Sequence, residues 1–334
     1  MRLALDAMGG DYAPASEVAG AVEAARSYGL EVMLVGRRSA LTAELSKHQT
    51  KGLNLDLVDA ETVIDMHEPD PARAVRQKTD SSLVRSMKLV REGAAQACVS
   101  AGNTGVVLAA ALFELGRIPG VERPAIAIVL PTVGGRVLLI DIGANVDCKP
   151  EYLAQFGLMG AVYLEHVFGT REPRVALLSI GEEACKGNQQ VLMATRLMQR
   201  MPINFVGNVE GKDVFAGTVD VVVCDGFVGN VVLKLTEGVA STIGVMLRQE
   251  LTESPIRKLL SAPLRGAFHS LRRRMDYAEY GGAQLLGVNG VCIVAHGRSS
   301  AYAVQQALRV AAEGVEHQVV ERLRERVGQL RVKS

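Results

Sequence analysis

The sequence predicts an α/β fold, and two features of its hydrophobic pattern support this class. Short runs of aliphatic and β-branched residues recur along the chain, and each is followed by glycine or an acid and then by a stretch with helical spacing. The runs are continuously apolar rather than alternating, which indicates strands covered on both faces. A mainly parallel, Rossmann-like sheet sandwiched between helices is therefore expected.

The predicted strands fall at regular intervals, and no repeat, low-complexity tract or long linker divides the chain. We therefore expect a single domain over residues 1–334. One stretch breaks the alternation: residues 241–276 have helical spacing without strand signals and contain Pro255 and Pro263, so we expect a helical excursion from the main body. The predicted strands are residues 3–6, 32–35, 98–100, 137–141, 175–179, 219–225 and 288–295.

Composition excludes several classes of protein. No stretch approaches about 20 uncharged apolar residues and no secretory signal is visible, so we expect a cytoplasmic protein that does not span a membrane. The net charge is +1, aromatic residues make up 4% and tryptophan is absent, which argues against nucleic-acid binding. Five cysteines are scattered singly. Four of them follow or sit within apolar runs, so buried reduced thiols are expected.

The loops after the predicted strands pair small polar side chains with glycine. Such loops permit tight turns and leave backbone N–H groups uncovered at the start of a helix, which suits an oxyanion or a phosphate. Turns and helix N-caps use the same residue types, so any one loop alone favours that structural interpretation. Several together point to a binding site. The loops are residues 6–11, 100–105, 141–145, 179–183, 225–230 and 296–299, and 100–105 is the best single candidate.

Familiar cofactor and metal motifs are missing. Residues 181–188 read GEEACKGN, which is not a P-loop, and Gly9 and Gly10 do not complete a GxGxxG fingerprint. Neither ATP, NAD nor a metal is indicated. Lys186 lies between two glycines and could face a phosphate or an oxyanion, but a solvated surface lysine is the alternative. His296 could be an acid or base, or a turn residue.

Seven sequence blocks together resemble one known family. They read DAMGGD (6–11), SAGNTG (100–105), DIGAN (141–145), SIGEE (179–183), NVEG (208–211), DGFVGN (225–230) and YGGA (280–283). In this order they are similar to the bacterial phosphate acyltransferase family, PlsX. The resemblance implies an enzyme that makes acyl-phosphate from acyl carrier protein thioesters and inorganic phosphate, for phospholipid synthesis. It also implies a homodimer without a metal or redox cofactor.

The resemblance assigns catalysis to Lys186 and Asn230, which would stabilise charge at the thioester carbonyl. Ser100 to Gly105 would cradle phosphate, and His296 is a weaker candidate for protonating the leaving thiolate. The carboxylates are expected to orient loops, because bare carboxylates would repel phosphate. The full predicted substrate site is Asp6, Gly9, Gly10, Asp11, Ser100, Gly102, Asn103, Thr104, Gly105, Asp141, Asn145 and Asp225.

Three other functions remain open at this point. A coenzyme A-dependent phosphotransacylase is the nearest alternative, because such enzymes use a similar sheet. An NAD-dependent dehydrogenase belongs to a different class and is disfavoured by the missing fingerprint. A non-catalytic module that docks a carrier protein is the third, although it would not need so many polar loops.

The excursion carries a separate prediction about partners. From Arg257 to Met275, apolar residues recur at helical spacing among basic ones, with no acid before Asp276. Packing against a dimer mate would account for the apolar stripe, whereas anionic lipid or an acidic carrier protein would account for the charge. We expect peripheral association with a membrane, near a membrane acyltransferase that takes the product. The predicted contact residues are Arg257, Lys258, Leu260, Leu264, Arg265, Phe268, Arg272 and Arg273.

Overall fold

The computed structural model describes residues 1–253, Gly266 and residues 281–332, with the backbone alone for residues 330–332. Its described strands form one eleven-stranded sheet in the order β3-β2-β1-β4-β11-β10-β5-β6-β9-β7-β8. They are β1 (Arg2–Asp6), β2 (Glu31–Gly36), β3 (Leu55–Asp59), β4 (Ala97–Ser100), β5 (Ala125–Thr132), β6 (Gly135–Ile140), β7 (Arg174–Leu178), β8 (Asn204–Val209), β9 (Val221–Val223), β10 (Ala283–Leu286) and β11 (Val291–Val294).

Helices connect most of the strands and confirm the α/β class. Polar N-caps start several of them, including Asn103, Asn188 and Asp225, whose side chains accept a backbone N–H from the first turn. The described helices are α1 (Ala15–Tyr28), α2 (Arg38–Leu45), α3 (Pro71–Gln77), α4 (Ser82–Arg91), α5 (Thr104–Glu114), α6 (Pro150–Val167), α7 (Gln189–Met198), a 3-10 helix (Gly211–Phe215), α8 (Gly226–Thr252), α9 (Ala301–Glu316) and α10 (Val319–Val332).

The sheet has apolar clusters on both faces, as the continuous hydrophobic runs predicted. Neighbouring strand residues belong to different clusters: Ala97 and Val99 pack in one, and Cys98 packs in the other. The cysteines follow the expectation only in part. Cys98, Cys224 and Cys292 are buried, whereas Cys148 is half-buried and Cys185 is exposed in the loop after β7.

Strand direction divides the sheet into two groups, which the sequence did not predict. Strands β1, β2, β3, β4 and β11 are parallel to one another, and so are β6, β7, β8 and β9. Between the groups, β10 pairs antiparallel with β11 and β5, and β5 pairs antiparallel with β6. The two parallel groups therefore run in opposite directions, and their carboxyl ends point toward opposite edges of the sheet.

Helix α8 begins at Gly226, fifteen residues before the predicted excursion. By length and composition alone this 27-residue helix could cross a membrane, and almost none of its apolar stretch is buried. The rest of the predicted excursion lies outside the described residues. This applies to all eight predicted contact residues: Arg257, Lys258, Leu260, Leu264, Arg265, Phe268, Arg272 and Arg273.

Candidate active site

Asp6 and Ser100 lie side by side at the ends of the paired strands β1 and β4. The Ser100 hydroxyl donates to Asp6 Oδ2 at 2.7 Å and accepts the backbone N–H of Gly102 at 3.0 Å. Both residues are buried. Burial raises the pKa of Asp6, opposed by hydrogen bonds from Ser82 and Ser100. These two side chains therefore hold the two loops together, and the prediction that Ser100 contacts phosphate stays a prediction.

The loop after β1 joins the loop after β11. The backbone N–H of Asp11 donates to the carbonyl oxygen of Gly297 at 2.7 Å, and the Arg298 guanidinium lies 3.8 Å from the Asp11 carboxylate. Gly9 and Gly10 allow this close approach. A Cβ on Gly9 would collide with the Asp6 carboxylate, and Gly10 has a φ of +117° that L side chains rarely adopt.

The start of α5 offers backbone donors, but its asparagine is already engaged. Asn103 Oδ1 accepts the Val106 N–H at 3.1 Å, and Asn103 Nδ2 donates to the Met66 carbonyl at 2.8 Å. The Thr104 side chain is exposed. A cavity of about 10 Å³ lies beside Gly102 and Asn103. It has room for a water molecule but not for phosphate. An anion bound at the start of α5 would therefore lie on the protein surface, against Thr104 and the backbone.

Asp141 organises the loop after β6. Its carboxylate accepts the backbone N–H groups of Ile126, Gly143, Ala144 and Asn145, and also the Asn145 side-chain amide, at distances of 2.7 to 3.2 Å. Burial is the main cause that raises the pKa of Asp141, and these hydrogen bonds oppose it. The Asp141 carboxylate is therefore fully occupied by donors of the protein and shapes the loop.

Helix α8 packs tightly on that loop, and this explains both glycines of the DGFVGN block. A Cβ on Gly229 would overlap the Asp141 carbonyl oxygen, and one on Gly226 would lie 2.7 Å from the Asn145 carbonyl oxygen. The next residue, Asn230, is exposed. Its Nδ2 would lie 3.8 Å from a Cβ atom added to Gly143. The start of α8 thus fixes Asn230 over the 141–145 loop.

Lys186 is exposed in the loop between β7 and α7. Its backbone N–H donates to the Glu183 carbonyl at 2.9 Å. Asn208, buried at the end of β8, donates from Nδ2 to the carbonyls of Glu183 at 3.1 Å and Lys186 at 3.4 Å. The Thr195 hydroxyl in turn donates to Asn208 Oδ1 at 3.4 Å. The neighbouring strand therefore fixes the backbone of Lys186 while its ammonium stays accessible.

His296 meets a lysine that the sequence analysis did not select. Lys234 Nζ lies 3.0 Å from His296 Nε2 and 3.0 Å from Glu237 Oε2. The backbone N–H of Arg298 donates to His296 Nδ1 at 3.1 Å. Burial, and next the charge of Lys234, lower the pKa of His296. A lowered pKa favours the neutral imidazole, which is a poor proton donor to a thiolate.

The predicted residues therefore fall into two groups that α8 connects. Asp6, Asp11, Ser100 and the start of α5 lie with His296 at the ends of β1, β4 and β11. Asp141, Asn145, Asp225 and Asn230 lie at the ends of β6 and β9, and Lys186 follows β7. Sequence reasoning missed Lys234 and Asn208. The spacing of Lys234 four residues after Asn230 could have identified it, and Asn208 opens the NVEG block.

Comparison with known proteins identifies the family. A family model described as a fatty acid synthesis protein matches residues 1–322. A phosphate acyltransferase of Pelotomaculum thermopropionicum is 52% identical over 334 residues, with 100% of this chain and 97% of the relative covered. The chain belongs to the phosphate acyltransferase family. Another phosphate acyltransferase, from Heliobacterium modesticaldum, is 52% identical over 332 residues, covering 98% of each chain. The protein is thus an enzyme, a phosphate acyltransferase.

Solved structures support the same fold for this phosphate acyltransferase. A phosphotransacetylase from Streptococcus pyogenes has a TM-score of 0.64 at 16% identity, with 95% of this chain and 94% of that chain covered. A 4-hydroxythreonine-4-phosphate dehydrogenase from Klebsiella pneumoniae has a TM-score of 0.56 at 16% identity, with 94% and 99% covered. At these identities the likeness concerns the fold alone, which an acyltransferase and a dehydrogenase share.

Proposed function

We propose that this enzyme transfers a fatty acyl group from an acyl carrier protein thioester to inorganic phosphate, and so supplies acyl-phosphate to phospholipid biosynthesis. The observation that carries the proposal is identity near 50% to phosphate acyltransferases over the whole chain. A phosphate oxygen attacks the thioester carbonyl carbon, the carbon–sulfur bond breaks, and the carrier protein leaves as a thiolate. The electron pair of the broken bond goes to sulfur.

The site suits a reaction that needs positioning more than a covalent nucleophile. Phosphate is already a nucleophile, so the enzyme must hold it and stabilise the charge that forms on the carbonyl oxygen. In this proposal Lys186 and the Asn230 amide stabilise that charge. Thr104 and the backbone N–H of Gly105 at the start of α5 receive phosphate. Asp6, Ser100 and Asp141 act indirectly, by fixing the loops.

The nearest competing function differs only in the thiol carrier. The fold resemblance to a phosphotransacetylase keeps a coenzyme A thioester as the second candidate donor. The test is to measure phosphate-dependent acyl transfer with the same fatty acyl group on acyl carrier protein and on coenzyme A. We expect a much higher kcat/KM for the carrier protein. Equal or greater efficiency with coenzyme A would contradict the proposed donor.

We also propose that α8 forms the seam of a homodimer. Its exposed apolar side chains recur at intervals of three or four residues and so form one stripe. An unburied stripe of this length is typical of a protein–protein contact. Its residues are Phe227, Val231, Leu235, Val239, Ile243 and Met246.

The dimer is tested by sedimentation velocity. The parent should have the mass of a dimer, and Leu235→Glu plus Ile243→Glu should give a folded monomer, because two buried charges would face each other across the seam. Ser241→Glu, which changes a different face of the same helix, should remain dimeric. A monomeric parent, or a double variant that stays dimeric, would rule out this seam.

The basic segment extends the proposal to peripheral attachment at a membrane. Arg257, Lys258, Arg265, Arg272 and Arg273 suit anionic lipid, and acyl-phosphate would then form near a membrane acyltransferase. The parent should co-sediment with anionic vesicles at low salt, and Leu260→Glu plus Phe268→Glu should weaken this binding. A parent that stays in the supernatant would leave carrier-protein docking as the role of the charge.

A further inference from the structure

The NVEG block, residues 208–211, starts at the end of β8, the edge strand beside β7. Its first residue, Asn208, is 7% exposed and contacts the loop at residues 179–187, named here the Lys186 loop. Asn208 Nδ2 donates to the carbonyl oxygen of Glu183 at 3.1 Å and to that of Lys186 at 3.4 Å. A side-chain NH2 group has two protons, so each carbonyl can accept one of them. One buried side chain therefore closes the turn that carries Lys186.

The next two residues of the block contact the same loop. The Val209 carbonyl oxygen accepts the backbone N–H of Ser179 at 2.8 Å, where the Lys186 loop leaves β7. Lys212 Nζ donates to Glu210 Oε2 at 2.9 Å and lies 3.8 Å from Glu182 Oε1. The Lys212 ammonium is exposed, so these ion pairs are weak. The buried amide is therefore the main side-chain restraint that the block places on the loop.

The position of the Lys186 side chain depends on the shape of this loop. A Cβ atom added to Gly181 would lie 2.9 Å from Lys186 Cγ, so the stem of the lysine crosses the loop at this glycine. Gly187 has a φ of +115°, and a Cβ atom there would lie 3.0 Å from Ser179 Oγ. The two ends of the loop are therefore close together. A shift of the loop backbone would carry the stem and the ammonium with it.

We propose that Asn208 is a positioning residue that holds Lys186 at the thioester carbonyl. This inference rests on the proposed function, in which Lys186 stabilises the charge on the carbonyl oxygen. A donor is most effective in that role when it is already fixed where the charge forms. The Asn208 side chain is buried and its two amide protons are engaged by loop carbonyls. Asn208 therefore acts through Lys186 and does not touch the substrate.

The kinetic test compares Asn208→Leu with Asn204→Leu. Leucine is similar in size to asparagine but cannot donate, so the site stays filled while both hydrogen bonds are lost. Asn204, at the other end of β8, also donates from Nδ2 to a loop carbonyl, that of Glu172 at 3.0 Å, and is the matched control. Asn208→Leu should lower kcat about tenfold to a hundredfold, as expected for a displaced catalytic group. Both KM values should stay within about twofold of the parent values, and Asn204→Leu should keep the parental kcat.

A double-mutant cycle separates positioning from a general structural defect. In the Lys186→Ala enzyme, adding Asn208→Leu should not lower kcat further, because the group that Asn208 positions is already missing. Asn208→Ala repeats the cycle with a smaller side chain in case leucine does not fit the buried site. An equal fall in kcat in both backgrounds, or a parental kcat in the Asn208 variants, would overturn the inference.

Amide hydrogen exchange tests the restraint without turnover. The Lys186 N–H donates to the Glu183 carbonyl at 2.9 Å, and this turn should open more often when the Asn208 bonds are lost. Exchange in the Lys186 loop should be about fivefold faster or more in Asn208→Leu, the effect of losing one ordinary hydrogen bond, and unchanged in Asn204→Leu. Equal exchange in the parent and Asn208→Leu would refute the restraint even in an active enzyme. Faster exchange, in an enzyme whose Lys186→Ala variant keeps parental turnover, would instead contradict the proposed role of Lys186 and with it the positioning role.

Discussion

Glu17 is a buried carboxyl on α1, beside the Gly10 turn of the candidate site. Its Oε2 atom has no hydrogen-bond partner among the described residues, and only 1% of the residue is exposed. Burial is the main cause that raises the pKa of Glu17 to about 8, and the charge of Asp6 raises it further. At neutral pH Glu17 is therefore mostly protonated, and no second negative charge is added next to Asp6 and the proposed phosphate site.

This carboxyl predicts a specific dependence of stability on pH. The folded state binds the Glu17 proton more tightly than the unfolded chain, so its contribution is complete below the unfolded pKa and is lost as pH rises through about 8. Glu17→Gln should therefore lose less unfolding free energy between about pH 5 and about pH 9 than the parent.

The measurement is urea unfolding of parent and variant across that pH range. Glu23→Gln, an exposed change on the same helix, is the control and should run parallel to the parent. If the Glu17→Gln and parent curves ran parallel as well, the raised pKa of Glu17 would be wrong.

Individual roles were partly readable from the sequence. The charge argument predicted that Asp141 orients a loop, and its carboxylate accepts hydrogen bonds from donors of the protein itself. Asn103 was expected to touch phosphate, but its side chain caps α5 and binds the Met66 carbonyl. The same residue type serves both purposes, so the sequence could not separate them. Lys234 was missed because its place near the site is defined by its contact with His296, which lies 62 residues away in the chain.

At the scale of elements, α8 shows where local sequence signals fail. The two glycines of DGFVGN lower helix propensity and suggested a loop, yet Asp225 caps a helix that begins at Gly226. The glycines are required because the helix touches the 141–145 loop without room for a Cβ. Tertiary packing therefore overrides propensity at this position. The two-residue turn at Val133 and Gly134 between β5 and β6, followed by Gly135, was likewise a hairpin signal that the continuous hydrophobic runs obscured.

The close contact of α8 predicts opposite effects for two glycine substitutions in one helix. Gly229→Ala should destabilise the protein by about 1–3 kcal/mol or more, because its methyl group would overlap the Asp141 carbonyl oxygen. Gly238→Ala has nothing within 4 Å of the new methyl group. It should stabilise the helix by up to about 1 kcal/mol, the usual difference in helix propensity. Denaturant midpoints measure both changes, and a neutral Gly229→Ala would mean that α8 is not packed on this loop.

At the scale of the whole molecule, the hydrophobic pattern predicted the class of fold but not the direction of half the sheet. Continuous apolar runs correctly predicted buried, mainly parallel strands. They carry no information on which connection is a hairpin, and the β5–β6 hairpin, together with β10, reverses the second parallel group. The carboxyl ends of the two groups therefore point in opposite directions. Helix α8 brings the groups together, with Asn230 against one and Lys234 against the other.

The central claim is that this site moves an acyl group onto phosphate with Lys186 as a charge-stabilising residue. The most direct measurement is the formation of labelled acyl-phosphate from radiolabelled phosphate and palmitoyl-acyl carrier protein, comparing the parent with Lys186→Ala. The parent should form acyl-phosphate with one carrier thiol released per product, and Lys186→Ala should remain folded with kcat/KM lowered about a hundredfold or more. Thiol release without label in the product, or a Lys186→Ala enzyme with near-parental turnover, would contradict the account.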